Sequence, residues 1–551
     1  MIKIAARGAY LVDGVVESPI IDSSSIVETP SLSLAGLQGL FMMAGNNLGR
    51  YYNEFTNNET WLALVDDLGF TGVAYTAGAE DHWLEFLSKI FWPDAMIVSP
   101  NVGMRCNPDM IEFYTGSSGG AANLHTVLNA TGVDFLEVTI NFCLRFNKPM
   151  VFTLNIARGT LEDCALYLAY LTYRGVTVIL RFGNEQPTGE TSLEGGAQDA
   201  TEYLEKLAPI YEYTMANYPD MIKVLNISLA NTVNWPHANL VQYITNNPGI
   251  THVNQYFWQG DTAGATNENT NIDDYFAQAL INLRGDPEGG NPPGDNSLYG
   301  EILPRMISYY NTFGTVAKFH MGQWGCSLQR SGYVAQTLTH ALLITNQLFE
   351  VIKFSLDNDL FFDQGIYLVV ETAVDQFAGG DGQFTIDPHF RDTDHEGNVF
   401  LVRAPGEVFR MLKHISSSTY TPTVITITKA FNYPDGLDIL VLKYEDKTYM
   451  QAYNFGNEFS VSTIEVNGVA LGAGDLAIKE MKGDKLWASV GNTPGYNYFK
   501  NLPDDNPGIT PQSIAYDERT SVGGGLTISK YSITVFEILD NANVTTIELI
   551  S

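Results

Sequence analysis

The sequence predicts an α/β fold, an eight-stranded (β/α)8 barrel of the TIM type, followed by a C-terminal all-β sandwich. Its 551 residues exceed one ordinary core, so more than one domain is expected. Apolar, strand-like runs alternate with helical patterns through most of the chain, which is typical of parallel strands joined by helical crossovers. Short β-branched and aromatic strands without helices then follow, which is typical of a sandwich.

The predicted barrel elements follow one another in a regular order. The strand-like runs cover residues 39–45, 71–78, 148–156, 176–185, 222–231, 250–258, 315–325 and 366–372. Helical patterns lie between several of them, at residues 58–69, 160–175, 197–218 and 333–351. An open doubly wound sheet is the alternative to a closed barrel. It usually carries a Gly-rich phosphate-binding turn after its first strand, and the segment NNLGR at 46–50 is no such turn.

These patterns predict three regions along the chain. Residues 1–35 contain short strands with Ser and Pro breaks, and we expect them to pack on the sandwich. The barrel is expected over residues 36–415. Residues 416–551 contain short strands separated by NG, DG and GGG turn signals, and we expect them to form the sandwich.

The charge of the chain limits its partners. It carries 62 acidic and 30 basic residues, a formal net charge of −32, which repels nucleic acid and anionic membranes. No apolar run reaches the length of about 18 residues that predicts a membrane span, and the start has no signal-peptide core. We therefore expect no membrane insertion, and a location in the cytoplasm or in a virion or surface assembly.

The cysteines give no sign of a metal site or a cofactor. They show no CxxC spacing and no neighbouring His, so they predict ordinary buried thiols, with a disulfide left open. The four are Cys106, Cys143, Cys164 and Cys326. We expect the protein to use no metal and no cofactor.

Candidate functional residues lie where predicted strands end, because function in such barrels gathers at the carboxyl ends of the strands. The fourth run ends Arg-Phe-Gly-Asn-Glu at 181–185. The sixth ends Gln-Tyr-Phe-Trp at 255–258, and the seventh ends His-Met-Gly-Gln-Trp-Gly at 320–325. Polar and aromatic side chains therefore meet at one mouth of the predicted barrel.

These endings resemble those of clan A retaining glycoside hydrolases, the arabinofuranosidase, heparanase and β-glucuronidase group. An apolar fourth strand that closes in Gly-Asn-Glu is similar to the strand on which that group carries its general acid/base Glu and an Asn that binds a substrate hydroxyl. The resemblance implies these roles for Glu185 and Asn184. It also implies that Tyr256 matches the Tyr that lies beside the nucleophile, and it extends over about residues 36–550.

One position departs from the group's pattern. Its seventh strand ends in a nucleophilic Glu that is often followed by Trp, whereas this chain has Gln323 and then Trp324. A retaining glycosidase needs two carboxyl groups about 5–5.5 Å apart, and a neutral carboxamide is a very poor nucleophile. An amide still donates and accepts hydrogen bonds, so this site is expected to bind carbohydrate better than it cleaves it.

Several alternatives to a natural loss of the nucleophile stay open. Gln323 is an engineered substitution in one of them, and in another the alignment of the seventh strand is wrong by one element. Substrate-assisted hydrolysis is a third. A displaced carboxylate near the last strand is a fourth, with Glu371, Asp357 and Asp359 as candidates.

The remaining candidates each have a functional and a structural interpretation. Trp258 and Trp324 either stack on sugar rings or pack in the core. Arg181 shares a strand face with Glu185, so it either binds an acidic sugar or forms an internal ion pair. His320 is expected to lie opposite Gln323 if the strand stays regular, which favours a structural role.

Three functions therefore compete. The first is a glycosidase-derived protein that has lost catalysis and serves as a carbohydrate-binding or structural component of a surface or viral assembly. A chain that runs unbroken from Met1 to Ser551 without a leader fits such an assembly, whose other subunits are then expected partners. The second is an active retaining glycosidase that acts on a poly- or oligosaccharide. The third, a barrel enzyme acting on another substrate, lacks a supporting motif.

Overall fold

The computed structural model describes sixteen segments of the chain. They are residues 34–44, 59–75, 84–85, 105–106, 135–156, 159–183, 200–227, 237–259, 272–285, 297–326, 337–367, 386–388, 400–402, 404–488, 514–539 and 543–551. The strands expected before residue 34 lie outside the described residues.

Eight parallel strands close into a barrel, which confirms the predicted fold class. Their order around the barrel is β9-β10-β1-β2-β5-β6-β7-β8. The strands are β1 (Met42–Ala44), β2 (Gly72–Ala74), β5 (Met150–Leu154), β6 (Val178–Phe182), β7 (Ile222–Asn226), β8 (His252–Gln259), β9 (Lys318–Cys326) and β10 (Phe362–Tyr367). Each lies at a predicted run, but β10 begins four residues before the predicted 366–372.

Helices follow the barrel strands. They are α1 (Glu59–Asp67), α2 (Phe135–Arg145), α3 (Leu161–Arg174), α4 (Ala200–Asn217), α5 (His237–Asn246), α6 (Ile272–Arg284), α7 (Leu303–Phe313), α8 (Leu338–Asp357), α9 (Ala404–Met411) and α10 (Lys413–Ser416). A 3-10 turn (Gln38–Phe41) precedes β1, and a π-helical turn (Leu298–Ile302) precedes α7. Two short ribbons lie apart from the barrel, β3 (Leu84–Glu85) with β4 (Arg105–Cys106) and β11 (Ile386–Pro388) with β12 (Phe400–Val402).

Helix α3 shows how local sequence sets these boundaries. Thr160 begins the helix with a capping box: its Oγ1 accepts from the Asp163 backbone N–H at 3.1 Å, and the Asp163 carboxylate accepts from the Thr160 N–H at 3.3 Å. Gly175 ends it in the left-handed conformation, with φ 73°. The helix therefore lies within the helical pattern predicted at 160–175.

The barrel strands bury side chains on both faces. One small apolar cluster fills the inside of the barrel, made of Met42, Ala74, Val151, Ile179, Val224 and Ile366. Alternate residues of the same strands, such as Val73 and Leu180, belong instead to the large core between the barrel and its helices. This parity identifies which polar side chains of each strand point inward.

Sheets with mainly antiparallel strands follow the barrel and form the sandwich. A six-stranded sheet has the order β13 (Thr423–Val424), β15 (Leu437–Lys443), β16 (Thr448–Asn454), β23 (Ser532–Ile538), β20 (Leu476–Lys482) and β21 (Ala515–Thr520). A four-stranded sheet has the order β14 (Ile427–Lys429), β24 (Ile547–Ile550), β18 (Thr463–Val466) and β19 (Val469–Ala470). A pair, β17 (Phe459–Val461) with β22 (Leu526–Ile528), completes it.

Helix α8 joins the barrel to the sandwich. The backbone N–H groups of its first two residues, Leu338 and Thr339, donate to the carbonyls of Ala488 and Leu486 at 2.8 and 3.0 Å. Further along the helix, the Asn346 Nδ2 atom donates to the Tyr453 hydroxyl at 2.6 Å. The barrel and the sandwich therefore share one buried helix.

Other expectations are met only in part. Cys143 and Cys164 are buried free thiols, as expected, and burial raises the pKa of each to about 12. The side chains of Cys106 and Cys326 lie outside the described residues. Within the described segments, no helix is long and apolar enough to cross a membrane.

Candidate active site

A β-bulge shapes the end of the seventh barrel strand. Strands β8 and β9 are in register from Lys318 to Met321, which faces Gln255, but the next pair joins Gln323 to Tyr256. Gly322 is therefore an extra residue in β9, as in a β-bulge. The bulge shifts the alternation of side chains by one residue from this point onward.

The bulge overturns the expected arrangement of His320 and Gln323. His320 is the register partner of Asn254, which in turn faces Asn226 on the barrel interior side of β7. Because Gly322 breaks the two-residue period, Gln323 turns to the same inner side as His320. The prediction that the two lie on opposite faces, which assumed a regular strand, is wrong.

Gln323 and Tyr256 lie side by side at the inner end of neighbouring strands. Their exposed fractions are 2% and 3%, so a ligand that reaches them is enclosed on most sides. A Cβ atom on Gly322 would stand 2.7 Å from Tyr256 Cε1 and 2.7 Å from Asn254 Nδ2. Only glycine fits this approach without displacing a neighbour.

Arg181 crosses the barrel interior and links the fourth and seventh strands. Its side chain is completely buried, and its Nε donates to Thr153 Oγ1 at 2.8 Å. Its Nη1 donates to the carbonyl of Gly322, the bulge residue, at 3.4 Å. These contacts favour the structural interpretation of Arg181 over direct binding of an acidic sugar.

The predicted acid/base lies outside the described residues. Strand β6 ends at Phe182 and Gly183 follows in the left-handed region, with φ 81°, after which Asn184 and Glu185 are not described. Their roles stay a prediction that rests on the strand they follow.

The two tryptophans differ in what the structure describes. Trp324 is 1% exposed and packs against the rings of Tyr367 and Phe409, with centroids 5.1 and 6.1 Å away, on the helix side of the barrel. This placement favours a packing role. Trp258 pairs with Gly325 through the backbone at the end of β8, and its side chain is outside the described residues.

Two of the alternative carboxylates lie at the wrong end of the barrel. Asp357 is the last residue of α8, and Asp359 follows in the turn that leads into β10. Both therefore lie at the amino end of that strand, opposite the mouth, so neither replaces the nucleophile. Glu371 lies outside the described residues.

Below the mouth, the interior is polar but neutral on β8 and β9. His320 is completely buried, and its Nδ1 lies 2.9 Å from Gln364 Oε1. Burial lowers the pKa of His320 to about 3, so the imidazole is neutral. Asn254 and Gln364 were not among the predicted site residues, although the period-two pattern of β8 and the polar residues of β10 indicated inward-facing polar side chains.

An ion-paired cluster closes the opposite end of the barrel. His252 Nε2 lies 2.9 Å from Asp363 Oδ1, and Lys318 Nζ lies 3.0 Å from Asp363 Oδ2. Burial alone would raise the pKa of Asp363, but the neighbouring His252 and Lys318 hold it below its usual value. No group of three or more metal-ligating side chains occurs among the described residues.

Comparison with solved structures identifies the class of fold. The GH51 arabinofuranosidase from Xanthomonas axonopodis pv. citri is similar over 92% of this chain and 98% of its own, at 11% identity and a TM-score of 0.57. An α-L-arabinofuranosidase from Thermotoga maritima covers the same shares at 12% identity and a TM-score of 0.55. A GH family 44 xyloglucanase from Paenibacillus polymyxa matches 92% of this chain and 97% of its own, at 8% identity and a TM-score of 0.51.

At these identities the likeness shows the fold alone, a glycoside hydrolase-like barrel with a sandwich. No protein-family model matches the sequence, and no curated protein matches it.

Proposed function

We propose that this chain is a glycoside hydrolase-like protein that binds carbohydrate at the carboxyl-terminal mouth of its barrel and is catalytically impaired at Gln323. The position of Gln323 carries the proposal. The bulge at Gly322 turns its side chain inward beside Tyr256, at the strand end where the resemblance expects a nucleophilic carboxylate. The Arg181 contact to the Gly322 carbonyl supports a fixed geometry between this strand and the strand that leads to Glu185.

The chemistry of an amide explains the expected loss of catalysis. A retaining mechanism needs a carboxylate that attacks the anomeric carbon and a second carboxyl group that protonates the leaving oxygen. Gln323 carries no negative charge, so it does not form the glycosyl intermediate. It also lacks the like charge that would help to raise the pKa of a general acid at Glu185. Its amide still donates to and accepts from sugar hydroxyls.

The first test compares hydrolysis by three proteins on a panel of aryl glycosides: the unmodified chain, Gln323→Glu and Gln323→Glu/Glu185→Gln. We expect release of the aryl group by Gln323→Glu alone, because only that variant has both carboxyl groups. Loss of the acid/base is expected to lower the rate about 100-fold or more for poor leaving groups.

A matched control keeps the introduced charge but moves it off the inner face. Gln255→Glu places a carboxylate one residue before Tyr256, on the helix side, where Gln255 donates to the Tyr309 hydroxyl at 3.0 Å. This variant is expected to stay inactive while remaining folded by circular dichroism. Turnover by the unmodified chain would contradict the proposal. The variant Glu371→Gln would then test whether Glu371 replaces the nucleophile.

Carbohydrate binding needs a separate measurement, because a protein without turnover still has to bind. We expect calorimetric titration with oligosaccharides to show binding by the unmodified chain, and Trp258→Ala to weaken it about fivefold through loss of one ring contact. The control is Trp324→Phe, which changes a packed ring on the helix side and is expected to leave the affinity unchanged. No contact among the described residues bears on partner subunits of a viral or surface assembly, which stay a prediction.

A further inference from the structure

Two buried side chains lie next to each other inside the barrel, one layer below the mouth. His320 of β9 and Asn254 of β8 are register partners on neighbouring parallel strands, and the exposed fraction of each is 0%. Register partners on adjacent strands are about 4.8 Å apart and point to the same face. The imidazole and the amide therefore share one small space in the interior.

Three polar atoms in this space have no hydrogen-bond partner among the residues that the structure describes. They are His320 Nε2 and both amide atoms of Asn254, Nδ2 and Oδ1. Leaving a buried polar atom without a partner costs about 1–3 kcal/mol, and folded proteins rarely leave three together. A bound molecule that serves all three atoms would remove this penalty.

The chemistry of the three atoms identifies that molecule. His320 Nδ1 faces the Gln364 Oε1 atom and so carries the proton, which leaves Nε2 as an acceptor on a neutral ring. Asn254 Oδ1 is a second acceptor, and Asn254 Nδ2 is a donor. The ligand must therefore donate two hydrogen bonds and accept one. A halide ion does not donate and an ammonium ion does not accept, whereas water does both.

The neighbouring bulge requires glycine beside this space. Gly322 lies next to Asn254, and any side chain there would begin 2.7 Å from Asn254 Nδ2. Buried waters in proteins typically make about three hydrogen bonds in polar spaces of this kind.

We propose that the barrel interior holds a buried water molecule, which donates to His320 Nε2 and Asn254 Oδ1 and accepts from Asn254 Nδ2. Both residues are inaccessible from outside, so the site belongs to the floor beneath the mouth and is separate from any sugar that binds above. The water fixes the Asn254 amide against the bulge and thereby holds the floor on which Gln323 rests. This inference does not depend on the proposed function.

A crystal structure of the full chain without sugar, at a resolution that shows ordered water, tests the proposal directly. We expect a density peak within about 3.2 Å of His320 Nε2 and of at least one Asn254 amide atom. Absence of that peak, or a rotated Asn254 that bonds His320 directly, would overturn it. A peak that only appears when sugar is added would assign the site to a sugar hydroxyl and would overturn it as well.

A substitution gives an independent result whose sign is informative. Asn254→Leu keeps the approximate shape and removes both amide atoms. If water bridges the pair, the variant loses a satisfied network and the thermal unfolding midpoint falls. If the atoms are unsatisfied, removing them raises the midpoint, because an apolar replacement then relieves a penalty. A raised midpoint is therefore a second outcome that contradicts the bound water, whereas a variant that fails to fold leaves the decision to the density.

Discussion

The two ends of the barrel differ in how their buried polar groups are satisfied. At the amino end, His252 Nε2 and Lys318 Nζ lie 2.9 and 3.0 Å from the two carboxylate oxygens of Asp363. Toward the carboxyl end, the inward side chains of β8 and β9 are uncharged, as with Tyr256 and Gln323. Ion pairs therefore close the amino end, whereas the carboxyl end has neutral groups that can form hydrogen bonds.

This contrast separates stability from binding. A barrel's amino end mainly serves stability, whereas its carboxyl end carries the site. Groups that pair with one another have few hydrogen-bonding sites left for a ligand. Amides and a phenol at the mouth can instead exchange one hydrogen-bond partner for another at modest cost. We therefore expect changes at the amino end to affect folding and changes at the carboxyl end to affect ligand binding.

The largest effect is expected from acid. Burial lowers the pKa of His320 and His340 to about 3 and of His414 to about 4, while each titrates near 6.5 when unfolded. Because the folded values are depressed, stability is full above pH 6.5 and falls as the pH drops toward the folded values. Each of these histidines contributes a loss of about 1.4 kcal/mol per pH unit in that window, so the three together contribute about 4 kcal/mol per pH unit.

Denaturant titration at pH 7.5, 6.0 and 5.0 measures this loss, and His320→Gln is expected to remove about one third of the slope. The Asp363 carboxyl group should not contribute in this range, because the pKa of Asp363 is held below its usual value and its share is lost only at lower pH. An unfolding free energy that stays constant from pH 7.5 to 5.0 would contradict this prediction, because it would mean that these histidines take up protons alike in the folded and unfolded chains.

The next effect concerns the closed end. Asp363→Ala leaves His252 without its carboxylate partner in a largely buried place, and we expect a loss of about 3 kcal/mol of unfolding free energy. Sugar affinity should not change, because the cluster lies at the end opposite the mouth. The matched control is Lys318→Met, which removes a half-exposed cation from the same cluster and should cost less than about 1 kcal/mol. Equal losses in the two variants would contradict this account.

The smallest expected change in stability comes from the bulge. Gly322→Ala places a Cβ 2.7 Å from Tyr256 Cε1, and overpacking of this kind costs about 1–3 kcal/mol. It should also weaken sugar binding, since the bulge sets the direction of Gln323. Gly365→Ala on β10 is the control, because its Cβ would meet the flexible end of Met321 on the helix side. Loss of affinity in both variants would mean that the bulge has no special role.

The sequence predicted the eight barrel strands well because each apolar run is bounded by polar turns and separated by helical periods. The last strand is instructive. It was expected at 366–372 but spans Phe362–Tyr367, because Asp363 joins the cluster at the amino end and Gln364 faces the barrel interior, and both lower the apolar character of its first half. Polar residues within a barrel strand therefore shift the strand boundary that hydrophobicity predicts.

The site was predicted less completely, for a related reason. The strand ends located Gln323 and Tyr256, but side-chain alternation placed His320 and Gln323 on opposite faces. A bulge depends on the register with a neighbouring strand, and a single strand's sequence does not contain that register. Asn254 lies two residues before Tyr256, inside the strand, whereas functional residues were expected at the strand ends.

Helix α8 also affects the order of events during synthesis. The last barrel strand is complete at Tyr367, yet the first N–H groups of α8, which have no partner within a helix, are satisfied by carbonyls far downstream. Thr339 donates to the carbonyl of Leu486, which is 147 residues further along the chain. A ribosome-bound chain that has released all eight barrel strands therefore still lacks the carbonyls that pair with the start of α8.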